Sequence, residues 1–246
     1  MRIDIWSDIV CPFCYVGKRN LEQALAEFEH RDEVEVVWHS FELDPSATEY
    51  PAGSLPEMIA SKYQMPLEQA IATQESLAER AREVGLDFNW RQARYGNTFD
   101  AHRVIQYAAE QGLAAAAQEA FKKAYFTQGR SVQDHESILD IASEIGLDTA
   151  EVEAVLKSDR YAEHVRADEQ LARQLGINGV PFFLIESKWA VSGAQPAEAL
   201  VQALRQVWEE THRVEFLNPL AGAAGDAADN NAAEAGPSCD MNGNCS

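Results

Sequence analysis

The chain has 246 residues, 46% hydrophobic and 24% charged, enough to bury a substantial core. No apolar run approaches the roughly 18 residues that a membrane span needs. Forty acidic against twenty basic residues leave a net charge of -20, a field that repels phosphate backbones and anionic bilayers. Nucleic acid and membrane surfaces are therefore not expected partners. The opening Met1-Arg2-Ile3-Asp4-Ile5-Trp6 lacks the basic and apolar pattern of a secretory leader, so the chain as given is expected in the cytoplasm.

Residues 2–6 are short, β-branched and aromatic, and predict a strand. From Tyr15 the pattern becomes helical, with Leu21, Leu25 and Phe28 on one face. Residues 34–43, rich in Val and aromatics, predict a second strand. Residues 44–56 carry three prolines and a glycine and predict a loop. Residues 57 to about 176 then read as helices, among them 67–84, 101–112, 113–129 and 131–146, with glycines closing successive segments and Ser131 opening the last of these four. Strand character returns in Phe182–Ile185 and Trp189–Val191, joined by Glu186-Ser187-Lys188 as a hairpin. A last helix over 195–210 has Pro196 in its first turn. Beyond Arg213 the composition turns to Ala, Gly, Asn and Asp, a tail without core-forming residues.

The expected architecture is α/β: a parallel strand–helix–strand unit completed by an antiparallel hairpin, with a large helical insertion. The predicted division is 1–44 with 177–212 for the sheet-bearing part, 45–176 for the helical part and 213–246 for the tail.

Four cysteines are too few for a disulfide scaffold, and a reducing cytosol turns attention to redox or metal chemistry. Cys11 and Cys14 fall where the first strand gives way to the first helix. Pro12 suits the first helical position, which places Cys11 at the N-cap. There the unpaired N–H groups and the helix dipole favour a thiolate, so a lowered Cys11 pKa is expected. Cys14, one turn on, is placed to attack a mixed disulfide on Cys11. Asp8 acts the other way if its carboxylate faces the sulfur. Phe13 brings no charge between the cysteines, and a less oxidising couple is expected than with histidine there. Pro181, preceded by Val180 and followed by a strand, is a candidate cis proline opposite the sulfurs.

Two other readings of the cysteines stay open. A zinc site needs two further ligands, which the six histidines do not supply at ligand spacing, but Cys239 and Cys245 would complete a four-sulfur set. Chance spacing of two inert thiols is the other. The Cys239/Cys245 pair flanks Asn242-Gly243, a strong turn signal, so the tail pair reads as a dithiol relay to Cys11, a soft-metal clip or a segment without function.

The segments SDIVCPFCYVG, NTFDAHRV, NGVPFFLI and VSGAQPAEALVQAL together resemble the DsbA-family thiol–disulfide oxidoreductases of the FrnE type. The resemblance covers residues 2–210. It implies a thioredoxin-like fold with a helical domain inserted after the second strand. It also implies Cys11 as nucleophile, Cys14 as resolving thiol and Pro181 as the cis proline, with Pro12, Phe13 and Val180 in support.

On that basis protein or small-thiol disulfides are the expected substrates, with protein disulfide isomerisation as a related activity, and no cofactor or metal is required. The same superfamily holds the 2-hydroxychromene-2-carboxylate isomerases and kappa-class glutathione transferases, which characteristically carry serine where this chain has Cys11. A glutathione-dependent isomerase or transferase is therefore the alternative, with Asn97, His102 and Gln195 as candidate substrate or glutathione contacts. A helix cap and packing are the plain alternative roles for Asn97, Thr98 and His102. A thiol-based metal-binding protein is the third reading. The oligomeric state is left open.

Overall fold

A computed structural model describes residues 1–47 and 53–213. Four strands form one sheet: β1 (Arg2–Ser7), β2 (Glu35–Ser40), β3 (Phe182–Ile185) and β4 (Trp189–Ser192). Their order is β2-β1-β3-β4. β1 runs parallel to β2 with Ile3 opposite Val36, and antiparallel to β3 with Ile5 opposite Phe183. β3 and β4 make the expected antiparallel hairpin, Phe183 opposite Val191. The sequence-based architecture holds: a mixed thioredoxin-type sheet whose middle strand leads into helix α1 (Pro12–Glu27).

Between β2 and β3 lie α2 (Leu55–Lys62), α3 (Leu67–Glu83), α4 (Phe99–Glu110), α5 (Ala114–Phe126), α6 (His135–Glu144), α7 (Thr149–Leu156) and α8 (Ala162–Gln174). The final helix α9 is Ala197–Thr211. Residues Met1–Trp208 form one compact unit.

The two-residue period of β1 sorts its side chains between layers. Ile3 and Ile5 join Leu21 and Ala24 of α1, Phe28 at its C-cap and Leu200, Val201 and Leu204 of α9 in one hydrocarbon layer. Trp6 faces the other way, packing with Ala172 of α8 and Ile177. His39 stacks on Trp6 at 4.4 Å and is held at both ring nitrogens, by Asp4 and by Asp168 of α8, each at 2.7 Å. The intervening helices have a core of their own, built around Val104, Phe121, Ile138, Ile141 and Val155, into which Ile9 and Tyr15 reach from the sheet side.

Of the boundaries that differ from expectation, four do so through a named contact. The second strand stops at Ser40, because the chain beyond turns so that Leu43 N–H donates to Asp8 Oδ2 at 2.8 Å. Leu55 and Pro56 belong to α2 rather than the loop: Ser54 and Glu57 form a capping box, and proline is tolerated in a first turn. α4 starts at Phe99, whose N–H is taken by Asn97 Oδ1 at 2.9 Å. α6 starts at His135 and not Ser131, since Ser131 Oγ accepts from the N–H groups of Gln133 and Asp134 and closes a turn ahead of the helix.

Candidate active site: a buried dithiol at a helix N-terminus

The end of β1 delivers Ser7 and Asp8 beneath the start of α1. Cys11 is the N-cap with extended backbone (φ -84, ψ 115), and Pro12 opens the helix. The Cys11 carbonyl then accepts from Cys14 N–H at 3.1 Å, fixing Cys14 one turn further in. Both thiols are free, and both are buried, 3% and 1% exposed.

Across from α1, the Val180–Pro181 peptide bond is cis. The Cys11 thiol donates to the Val180 carbonyl at 3.5 Å. Gly17 lets α1 lie against this turn: a Cβ there would sit 3.0 Å from Pro181 Cγ and 3.4 Å from the Phe183 ring. Gly193 N–H donates to the Pro181 carbonyl at 2.9 Å, tying the hairpin to the same turn.

Two cavities flank Cys11. The first, about 530 Å³, is bordered by Pro12, Phe13, Asn20, Gln23, Arg80, Pro181 and Gly193. The second, about 500 Å³, includes Cys11 itself and is lined by Phe13, Leu55, Met58, Ile59, Met65 and Val180, among others. Phe13 stands between them and is exposed. Cys14 borders neither cavity.

Behind the sulfurs lies a set of buried polar groups drawn from several elements. Asp8 is fully enclosed and accepts from Ile9 N–H (2.7 Å), Leu43 N–H (2.8 Å) and the Thr98 side chain, and pairs with His102 Nε2 at 3.2 Å. Burial opposes its charge, but the His102 contact and these donors together hold its carboxyl below the usual range. Lys122 of α5 is buried too, donating to Gln118 one turn earlier. Burial pushes the Lys122 ammonium down to about 8, while the Cys14 and Asp8 anions pull the other way.

The expected lowering of the Cys11 pKa is not what the site produces. The side-chain contact with Cys14, desolvation and the Cys14 and Asp8 charges push the Cys11 thiol well up. Burial opposes the Cys14 charge as well. Yet the bond from Cys11, the field of Lys122, the Asp8 backbone N–H and the Ser7 hydroxyl bring its thiol below the ordinary value. The two sulfurs titrate as one unit, so the first ionisation belongs to the pair. The carboxylate of Asp8 does act against Cys11, as its position in the sequence suggested.

The structure thus brings Cys11, Pro12, Phe13, Cys14, Val180 and Pro181 together. His102 is buried behind the dithiol, bonded to Asp8, and does not reach either cavity. Asn97 shapes the turn before α4, with its N–H donating to Gln133 Oε1 at 2.9 Å, and lines neither cavity. Gln195 is exposed between Ala194 and Pro196 of the first cavity's wall, and its carbonyl accepts from Asn20 Nδ2 at 2.8 Å. Cys239 and Cys245 lie outside the described residues. Among the described residues no group of three or more His, Cys, Asp or Glu side chains is arranged to hold a metal ion, and no helix is long and apolar enough to cross a membrane. Sequence reading passed over Lys122, because the adjacent Lys122 and Lys123 in a helical run read as solvated charges. Its one signal was the apolar company of Phe121, Ala124 and Tyr125 around it.

A dithiol at the start of the first helix of a thioredoxin-type sheet, facing a cis proline, defines the class, and comparison with known proteins gives the family. The DSBA-like thioredoxin domain model matches residues 2–205, and the chain belongs to that family. Its structure is similar to that of the probable DsbA oxidoreductase SCO1869 from Streptomyces coelicolor, with 42% identity, TM-score 0.83 and coverage of 100% of this chain and 98% of that one. An uncharacterized Bacillus subtilis protein, YwbO, is 29% identical over 188 residues, 75% of this chain and 86% of YwbO. The cytosolic disulfide reductase DsbM from Pseudomonas aeruginosa shares the fold at 18% identity and TM-score 0.59, over 84% of this chain and 100% of that one.

Proposed function

We propose that the chain is a thiol–disulfide oxidoreductase in which Cys11 and Cys14 carry two electrons to or from disulfides of proteins and small thiols. The observation that carries this reading is the position of the Cys11 sulfur. It belongs to the N-cap residue of α1, meets the Val180 carbonyl beside the cis Pro181, and alone of the two sulfurs borders one of the two cavities.

In the reducing direction, the Cys11 sulfur attacks a substrate disulfide as its proton passes to the Cys14 thiolate. A Cys11–substrate disulfide forms and one substrate thiolate leaves. Cys14 then attacks the Cys11 sulfur, the new Cys11–Cys14 disulfide closes, and the proton goes to the second departing thiolate. One substrate disulfide is reduced, one enzyme dithiol is oxidised, and charge is conserved. The reverse sequence oxidises dithiols, and stopping at the mixed disulfide permits isomerisation. The Val180 backbone, next to the sulfur, is the edge on which an extended substrate would pair.

The apolar cavity with its two methionines suits polypeptide substrates of varied sequence. A net charge of -20 favours substrates that are not themselves acidic. The helical part, residues 45–176, serves as an inserted roof over the couple, and the reducing chemistry fits the cytoplasm. The Cys239/Cys245 pair, on the tail, is proposed as an internal relay to Cys11.

A second reading has one supporting observation: the 530 Å³ cavity beside Pro181 carries Asn20, Gln23 and Arg80, polar groups suited to glutathione as co-substrate. A chain of this fold, DsbM, has been seen with GSH.

Insulin-type disulfide reduction by the purified full chain tests the main reading. Cys11→Ser is expected to abolish it, and Cys14→Ser to accumulate the mixed disulfide. Full turnover by Cys11→Ser would contradict the assignment. Turnover that survives Cys14→Ser and depends on glutathione would favour the second reading.

A further inference from the structure

Between the sheet and α8 lies a second enclosed cluster of charges, which the dithiol chemistry does not use. His39 of β2 is gripped at both ring nitrogens. Nε2 lies 2.7 Å from Asp4 Oδ1 of β1, and Nδ1 lies 2.7 Å from Asp168 Oδ1 of α8. The His39, Asp4 and Asp168 side chains are 12%, 7% and 16% exposed, so water competes little for these bonds. An ionised carboxylate only accepts, so a ring held by two of them carries a proton on each nitrogen. His39 is thus a cation shared between a strand and a helix.

The two carboxylates are not equivalent. Asp4 also receives Arg2, from Nε at 3.0 Å and Nη2 at 2.7 Å. Asp168 receives the Ser40 N–H at 2.8 Å and the Gln106 side-chain amide at 2.7 Å, both neutral donors. His39 is the one cation in contact with Asp168 among the described residues. Loss of a ring proton therefore leaves Asp168 without a cation, whichever nitrogen keeps the other. An enclosed carboxylate is then held by neutral donors alone, and the seat of α8 on β2 weakens.

One side chain joins this cluster to the edge beside Cys11. Trp6 donates its indole N–H to the Asp168 carbonyl at 3.1 Å and stacks on His39 at 4.4 Å. Val180 and Phe182 pack against the core that Trp6 forms with Ala172 and Ile177, and the Phe182 ring lies 6.3 Å from that of Trp6. α8 also leads into the edge directly, through a turn in which Ile177 N–H returns to the Ala172 carbonyl at 2.8 Å.

We propose that His39 is a positioning residue for substrate: doubly protonated, it seats α8 and Trp6, and through them the Val180 backbone on which an extended polypeptide pairs. Its deprotonation loosens that edge, so a polypeptide is held more tightly below the His39 titration than above it. The ring lines neither cavity beside Cys11, so it acts only through Trp6 and α8. The charged groups facing it are Asp4 of β1, with Arg2 behind, and Asp168 of α8, while α4 presents the neutral Gln106. Burial opposes the ring's charge, but Asp168 and Asp4 outweigh it and raise the titration above the ordinary histidine value. All of this rests on the reading of Val180 as the substrate edge.

The test uses the full chain with Cys11→Ser, Cys14→Ser, Cys239→Ser and Cys245→Ser, so that no thiol titrates. Nitrogen NMR follows the His39 ring and the Val180 amide against pH. Both ring nitrogens should carry protons below the midpoint, and the Val180 amide should shift at that same midpoint. His39→Phe, which keeps an aromatic ring against Trp6, should abolish the shift. A Val180 amide indifferent to His39 ionisation overturns the proposal. If His39→Phe does not fold, the two midpoints in the histidine-bearing protein decide by themselves.

The functional arm is binding of a labelled, uncharged, extended peptide with serine in place of its cysteine. Its affinity should fall across the His39 midpoint, and this fall should be lost in His39→Phe. Equal affinity on both sides of the midpoint, with His39 present, overturns the proposal alone. A peptide that binds at no pH overturns the substrate-edge reading beneath it, so the two failures are distinguishable.

Discussion

The front and the rear of the dithiol are assembled by different means. The front is local: the stretch from the end of β1 to Cys14 and the two-residue step Val180–Pro181 make the nucleophile, its helix dipole and the substrate edge. The rear is dispersed. Asp8 comes from the strand end, Leu43 from beyond β2, Thr98 and His102 from the start of α4, and Lys122 from α5, and they meet only because the helical roof closes over the sheet. The front decides which sulfur a substrate meets, and the rear raises the Cys11 thiol while lowering that of Cys14. The difference teaches that access and ionisation, often assigned to one cysteine, are divided here between two.

The largest expected effect breaks the front outright. Cys11→Ser should remove disulfide reduction altogether, read by turnover of an insulin-type substrate, with stability unchanged within about 1 kcal/mol in urea denaturation. Next comes the rear. His102→Ala leaves the fully buried Asp8 carboxylate without its facing ring, and a buried hydrogen bond left unmade costs about 1–3 kcal/mol. Urea midpoints would show it, and a loss under about 1 kcal/mol would mean that Asp8 is held by its backbone donors alone.

A subtler break lies on the front, where Gly17→Ala would bring a Cβ to 3.0 Å from Pro181 Cγ. Overpacking of this kind costs about 1–3 kcal/mol, and its shift of the Val180 carbonyl should appear as a changed Cys11 alkylation rate.

The smallest effect comes from the far face of the sheet. Burial alone would lower the His39 pKa, but Asp168 and Asp4 outweigh it, so the folded value is raised above the ordinary one. The sign follows from linkage: the stabilising contribution is complete below the unfolded value of about 6.5 and is lost as pH rises through the raised folded value. Stability measured against pH should therefore fall above about 6.5 with a slope no steeper than about 1.4 kcal/mol per unit, and His39→Phe should flatten it. An equal slope in both proteins would remove His39 as its source.

Much of this was legible in the sequence, and the divide follows the same front and rear. The strand–helix boundary at Cys11 and Pro12 is written in adjacent residues, as is the hairpin after Pro181, because propensity and local caps govern them. The family resemblance extended that reading to the cis bond. What stayed hidden depends on contacts between distant segments. His102 looked like a ligand contact from its motif, and only tertiary packing turns it inward to Asp8. The second strand ended early because Leu43 is drawn to the same carboxylate. The lowered thiol moved from Cys11 to Cys14 because Ser7, Asp8 and Lys122 outweigh a helix end whose N-cap sulfur is itself a donor.

Carbon NMR of the two cysteine side chains across pH, in the reduced full chain, tests this division most directly. The account predicts that the Cys14 resonance titrates first, below the ordinary thiol value, with Cys11 following far above it. A Cys11 resonance that titrates first while Cys14 keeps its proton would contradict it.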